Sequence, residues 1–268
     1  MSASRVTRLP GRRPPLLAAF AGLVVLLAAC GPATPSAETV DIVSEIPFIH
    51  GEAYSYSLTN DRGEIFGEAV LTTEANEDGF TLLQTFTEID PPPGAPLTSD
   101  VISVQVRYDN LQPVDGTRTT IRRDGDGDVT REETRWSYGL EQGEPIASIQ
   151  SLDEDGGIDG ERTVGPLRDH YYDNESSLWL WRTLLFEVDW ERNYVSMNPF
   201  QGSQQTVNLW VSIRQTIAVP AGTFDVWRLQ VRNGRAVRVA WINAQPPHQI
   251  VQWDNGTTVF RLLRSLTR

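Results

Sequence analysis

The stretch TVNLWVSIRQTIAVPAGTFDVWRLQV, residues 206–231, is the part of the sequence that most directly predicts the fold. Its first part alternates, so that one face of an extended chain would carry Val207, Leu209, Val211 and Ile213. A period of two residues is typical of a β-strand with one buried face. Pro220-Ala221-Gly222 interrupts the alternation, which resumes at Thr223. We therefore expect an antiparallel hairpin, with Gly222 at a positive φ in its turn.

Similar alternating segments continue on both sides of this hairpin. Asn233-Gly234 and Asp254-Asn255-Gly256 separate some of them, and such turn sequences are strong hairpin signals. The short connections indicate an antiparallel sheet, and we assign residues 49–268 to a single β domain. The further predicted strands are 53–58, 64–73, 80–89, 101–108, 117–123, 129–138, 145–152, 192–197, 236–242, 249–253 and 257–266.

One helix is predicted among these strands, over about residues 176–186. Asp173 or Asn174 can cap its N-terminus, with Glu175 in the first turn. An apolar stripe follows at helical spacing and consists of Leu178, Trp181, Leu184 and Leu185, widened by Trp179 and Phe186. Because so much apolar surface must be buried, we expect the helix to pack against the sheet.

The motif Val219-Pro220-Ala221-Gly222-Thr223-Phe224, followed by Trp241-Ile242 and Pro247-His248, resembles an uncharacterised family of exported β-rich bacterial proteins. The resemblance implies a mainly β fold: a curved antiparallel sheet, half-barrel or open barrel, with one short helix packed in the concavity. This shape is similar to that of the LolA/LolB-like lipoprotein carriers, which bind acyl chains in an apolar hollow. The acidic insertion at residues 124–160 departs from the family pattern.

The N-terminus predicts where the protein is found. Four arginines precede an apolar run over residues 16–29, which is the layout of a secretory signal. The alternative, a transmembrane helix, needs about 20 apolar residues. Leu27-Ala28-Ala29-Cys30 resembles the lipobox of bacterial lipoproteins, which implies that Cys30 is lipidated. We predict a signal peptide at 1–29, a flexible tether at 30–48, and attachment to the extracytoplasmic side of the cell membrane.

Composition narrows the class of protein. The net charge of −12 disfavours binding to nucleic acid phosphates. The only cysteine is Cys30, so the predicted mature chain has neither a disulfide nor a thiol nucleophile. Hydrophobic residues make up 40% of the 268 residues, which is enough for a packed core without disulfides.

Two acidic loops and the histidines are the candidate sites for metal binding or catalysis. Asp124-Gly125-Asp126-Gly127-Asp128 lacks the glycine and glutamate positions of an EF-hand, so it is either plain turn chemistry or, with 153–160, a looser calcium site. His50, His170 and His248 are scattered, and the polar cluster around His170 is read as a loop that caps the helix. We expect no enzyme activity, no catalytic residue, no cofactor and no metal.

The tryptophans suggest a binding hypothesis. They crowd the C-terminal half of the chain, where the simplest interpretation is a large aromatic core. The sharper hypothesis is a hollow for a hydrophobic or envelope-derived ligand, lined by Trp179, Trp181, Leu184, Trp210, Trp227 and Trp241. A third option is a set of platforms for stacking carbohydrate. The functional alternatives are a binding protein and a structural or assembly lipoprotein whose hollow is filled.

Overall fold

Successive hairpin turns return the chain alongside itself and build one 15-stranded sheet in the computed structural model, which describes residues 38–91 and 94–267. The strands are β1 Glu52–Thr59, β2 Ile65–Ala75, β3 Gly79–Glu88, β4 Leu97–Arg107, β5 Pro113–Arg123, β6 Val129–Glu141, β7 Glu144–Leu152, β8 Ile158–Val164, β9 Tyr171–Asp173, β10 Trp190–Asn198, β11 Ser203–Val219, β12 Gly222–Asn233, β13 Ala236–Asn243, β14 Ile250–Asp254 and β15 Val259–Ser265.

The strand order describes one continuous open sheet. It runs β8-β7-β6-β5-β4-β3-β2-β1-β15-β14-β13-β12-β11-β10-β9, so that the first strand, β1, pairs with the last strand, β15. All described pairings are antiparallel except β9 with β10, which is parallel. From β8, Arg162 donates to the backbone carbonyls of Pro199 (2.7 Å) and Phe200, just after β10. The sheet is therefore curled, with its two edge regions close together.

The inside of the curl is the core. Its fully buried side chains come from strands far apart in sequence and include Tyr56, Leu82, Leu209, Leu229, Ile242 and Leu262. Burial of apolar surface stabilises the fold by roughly 25 cal/mol per Å². The predicted fold class, a curved and mainly antiparallel sheet with a short helix in its concavity, is confirmed.

The helix is shorter than the sequence predicts. A 3-10 turn, Asn174–Ser176, leads into α1, Ser177–Leu180, and a second 3-10 turn, Trp181–Thr183, ends it. Leu184 is already extended, with φ −70° and ψ 157°. The last carbonyls find other partners, since the Leu180 carbonyl accepts from the Thr183 hydroxyl and the Thr183 carbonyl accepts from the backbone of Ser44 and Glu45. These competing hydrogen bonds explain why the helix does not continue to residue 186.

The segment that supplies those partners belongs to the body of the protein. Residues 38–48, called the strap below, were predicted to be part of a flexible tether. Instead, Ile42 is buried, the Val40 N–H donates to the Asn193 carbonyl, and Phe48 packs edge-on against Phe80. The predicted tether boundary at residue 48 therefore lies too far along the chain. The signal peptide at 1–29, Cys30 and the tether up to residue 37 lie outside the described residues.

Two further details depart from the prediction. A register shift between Val211 and Ile213 turns the alternation over, so that Ser212 is buried and Ile213 is exposed. The bulge arises because one extra residue is inserted opposite a single partner. The predicted 153–160 loop also gives way to β8, whose side chains are almost all exposed. Gly222 has φ +132°, as predicted.

Candidate functional site

Three of the predicted ligand residues lie in the centre of the curl and leave it filled. Trp179, Trp181 and Leu184 are only 2%, 4% and 4% exposed. They belong to residues 174–184, called the plug below. The ring of Trp181 packs against Trp253 at 4.7 Å between centroids. Both helix-borne tryptophans thus pack as core side chains, and only Trp181 also borders an open cavity.

The remaining tryptophans are not brought together with these three. Trp227 lies at the edge of the core and stacks on Phe186, with 6.3 Å between ring centroids. Trp210 and Trp241 each stand between two fully buried neighbours in the same strand, and neither belongs to the core cluster. Because side chains alternate along a strand, these two lie on the outer face of the sheet. The six residues therefore do not form a single site.

A buried polar network pins the plug to the sheet. Arg182, 4% exposed, makes two bonds to Glu52, 0% exposed, at 2.7 and 3.0 Å. Glu52 also accepts from Thr73, and Thr73 in turn accepts from the indole N–H of Trp179. The Arg182 guanidinium donates further to the Pro247 carbonyl. Sequence reasoning missed this network, because nothing near Glu52 distinguishes it from an exposed acidic residue.

A polar crevice opens at one end of the concavity, beside the plug. Its inner part is about 230 Å³ and its outer part about 270 Å³, and the two share Asn174, Ser196, Asn233 and Arg238. The hairpin turns that follow β10, β12 and β14 frame it, and Gln84 of β3 faces them. Sequence reasoning missed the crevice as well. Its amide residues come from strands and turns far apart in sequence and are brought together only when the sheet folds.

Two carboxylates stand where the plug begins. Asp173 is fully buried and accepts from Trp136 Nε1 (2.6 Å), Tyr138 Oη (2.7 Å) and the Glu175 backbone N–H (2.7 Å). Burial, and then the like charge of Glu175, raise the pKa of Asp173 to about 7. Burial also raises the pKa of Glu175, which lines the crevice. Asp173 acts as the predicted N-cap, and its oxygens are already engaged by three donors.

The acidic loops use their carboxylates locally. Asp124 accepts from the backbone N–H groups of residues 126 and 128, and Asp153 accepts from Gly157. Among residues 38–91 and 94–267, no three His, Cys, Asp or Glu side chains are grouped as a metal site. The described part of the chain also contains no helix of the length and apolarity that crossing a bilayer requires.

Comparison with solved structures identifies a similar fold. A β-barrel-like protein of the domain of unknown function DUF1849 from Brucella abortus has a TM-score of 0.54 and 12% sequence identity, with 84% of this chain and 98% of that chain covered. At this identity the likeness concerns the fold alone. It agrees with the β-rich architecture expected from the sequence resemblance, whereas the lipobox and the VPAGTF motif stay predictions.

Two other solved structures are more distant. A provisionally described exported protein with a YmcC-like fold from Bacteroides fragilis has a TM-score of 0.27 at 9% identity, covering 84% of this chain and 99% of that one. A provisionally described lipoprotein from Parabacteroides distasonis has a TM-score of 0.25 at 9% identity, covering 84% and 100%. Both superpose too poorly to support an argument. No protein-family model and no curated protein matches the sequence.

Proposed function

We propose that this protein is a lipid-anchored, extracytoplasmic and non-catalytic structural or assembly protein of the cell envelope, whose curled sheet is a filled scaffold. The observation that carries the proposal is the burial of Trp179, Trp181 and Leu184 inside the curl. Where a carrier of acyl chains needs an apolar hollow, this chain inserts its own helix.

The energy of opening that hollow supports a scaffold over a carrier. Removing one large apolar side chain from a core lowers stability by about 2–5 kcal/mol when a cavity is left behind. Moving the whole plug would also break the buried Glu52–Arg182 ion pair and leave each charge without its partner. An apolar ligand would have to repay these costs before it gained any affinity.

The anchor part of the proposal rests on the sequence. Cys30 follows a signal-like segment and is the only cysteine of the chain. One acyl chain gives marginal membrane binding, and each further buried CH₂ adds about 0.8 kcal/mol, so stable anchoring would need two or more chains. With a net charge of −12, electrostatic attraction to anionic headgroups would not substitute for the lipid.

Two measurements test this function. Cells that express the full chain or Cys30→Ala are fractionated in high salt, and only the Cys30→Ala protein is expected in the soluble fraction. The lipids that co-purify with the Cys30→Ala protein are then measured by mass spectrometry, with a mock purification as control. We expect no stoichiometric lipid. A bound lipid at one per chain would overturn the filled-scaffold proposal in favour of a hydrophobic-ligand carrier. Membrane retention of Cys30→Ala would overturn the single anchor.

A further inference from the structure

The polar crevice differs in chemistry from the rest of the concavity. Seven side-chain amides contribute to its lining, and they come from Gln84, Asn174, Asn198, Gln201, Gln205, Asn233 and Asn255. An amide offers both a donor and an acceptor, as does a hydroxyl group. Of the described residues, one cation, Arg238, and one carboxylate, Glu175, line the same space. The crevice is therefore rich in paired donors and acceptors with little net charge.

Several of these groups are free to bind a ligand. In the part of the chain that the structure describes, the side chains of Gln84, Gln205, Asn233 and Arg238 have no hydrogen-bond partner, although each lines the crevice. By contrast, Asn174 is held by Glu175 and Ser196. The crevice thus combines one fixed amide, Asn174, with polar side chains that bond to no other described residue.

Aromatic surface completes the lining. Trp181, Trp253 and Phe260 border the inner part, next to the apolar side chains of Val207 and Val231. Fixed amides beside an aromatic and aliphatic floor suit a ring that has hydroxyl groups at its edge and C–H groups on its face. The inner and outer parts together reach the size range of small-molecule sites, about 300–1,000 Å³.

Other ligand classes fit the crevice less well. An acyl chain would leave the amides without partners, at a cost of about 1–3 kcal/mol for each buried group. An anion would meet Glu175 as well as Arg238, within a chain of net charge −12. A metal ion would find one carboxylate and no histidine or cysteine among the described lining residues.

We propose that this crevice binds a neutral sugar residue, with Asn233 and Gln84 donating to and accepting from its hydroxyl groups and Arg238 donating to them. The site deepens the proposed function, because it would give an anchored scaffold a glycan to hold. Binding is nevertheless a property of the purified chain. A negative result here would leave the lipid measurement and the fractionation result untouched.

The test uses the full chain in detergent micelles and calorimetric titration with two soluble probes. The trisaccharide of N-acetylglucosamine represents an N-acetylated glycan, and maltotriose represents a plain glucan. We expect one of them to bind saturably below about 10 mM. Asn233→Leu and Arg238→Ala are each expected to weaken that binding about tenfold, since each removes ligand hydrogen bonds.

Controls separate the crevice from the surrounding surface. Arg235 lies in the same hairpin as Arg238 but does not line the crevice. The variant Arg235→Ala should therefore leave sugar binding unchanged. Gln84→Leu, on the opposite wall, provides a second variant should a change at residue 233 disturb its turn. The proposal is overturned when neither trisaccharide binds up to about 10 mM, or when binding survives unchanged in the crevice variants. Binding of oleate in place of both sugars would also overturn it.

Discussion

Strands β11–β13 and strands β6–β8 are built from the same kind of hairpin but are stabilised in different ways. The first group lines the same cavity as the plug and buries Val207, Leu209, Val211, Leu229, Val231 and Ile242. In the second group the buried side chains are Trp136, Ala147, Ile149 and Leu152, and β8 is exposed almost throughout. The neighbouring pair of strands β5 and β6 instead carries exposed cross-strand ion pairs, such as Arg122 with Glu132. The comparison indicates that stability is concentrated around the plug.

The strongest test of this contrast removes one partner of the buried ion pair. Glu52→Ala leaves the Arg182 guanidinium buried without its carboxylate, and breaking such a pair costs about 3–5 kcal/mol. Glu68→Ala on the neighbouring strand is the matched control, because Glu68 is exposed, and it should stay within about 0.5 kcal/mol. Urea unfolding of the two variants measures both values. Equal midpoints would mean that the plug is not pinned by this pair.

A second test compares two adjacent leucines. Leu184 is 4% exposed and Leu185 is 42% exposed, although the predicted helical stripe included both. Leu184→Ala should destabilise the domain by about 2–5 kcal/mol, whereas Leu185→Ala should change it by less than about 0.5 kcal/mol. Thermal unfolding followed by tryptophan fluorescence distinguishes them. A plug that acts as a mobile lid would instead show little loss of stability for Leu184→Ala together with uptake of an apolar dye.

These two tests also mark what the sequence could predict. Alternation and turn residues predicted most strands, because most strands have one buried face and a short connection, whereas β8, which has no buried face, was not predicted. The end of the helix could not be predicted, because it depends on hydrogen bonds from Ser44 and Glu45 of the strap, more than a hundred residues away. The same holds for the bulge at Ser212, which only the facing strand β12 reveals.

The candidate site was harder to predict than the fold. Tryptophan content pointed to the right region, but Trp179 and Trp181 are buried side chains of the core, and only Trp181 borders the crevice. The crevice depends on Asn233 and Gln84 meeting across the concavity, about 150 residues apart in sequence. Local sequence patterns do not show which distant residues come together in the fold.

A third test uses pH to probe the buried start of the plug. The pKa of Asp173 is raised from 3.8 to about 7, because burial disfavours its charge and Glu175 adds repulsion. Between these values the unfolded chain has released a proton that the folded protein retains. This group's contribution to stability is therefore present below about pH 4 and is lost as the pH rises to about 7, by at most about 1.4 kcal/mol per pH unit.

Asp173→Asn should flatten that slope while it preserves the size of the side chain. Unfolding free energies at several pH values from 4 to 8 measure the difference between variant and parent. Because other groups titrate in both proteins, only the difference between the two slopes is informative. Identical slopes would show that Asp173 does not retain its proton in this range.

The smallest expected effect is in the ribbon of β5 and β6. Arg122 and Glu132 form a cross-strand pair in which the side chains are 38% and 68% exposed. Exposed pairs contribute about 0–1 kcal/mol and are screened by salt. Arg122→Ala should therefore lower stability by less than about 1 kcal/mol, with the difference vanishing in 1 M salt. A larger, salt-insensitive loss would place the ribbon among the stabilising parts of the fold.

The open sheet has a consequence for how copies of the protein behave in a crowded envelope. A curled sheet that does not close leaves two edges whose backbone groups could pair with another chain. At one edge, β9 has only three residues, and at the other, β8 has Asp159, Glu161 and Arg162. Short length and charge both discourage edge-to-edge pairing. The exposed charges of β8 thus protect the protein against polymerising through its own hydrogen-bonding pattern.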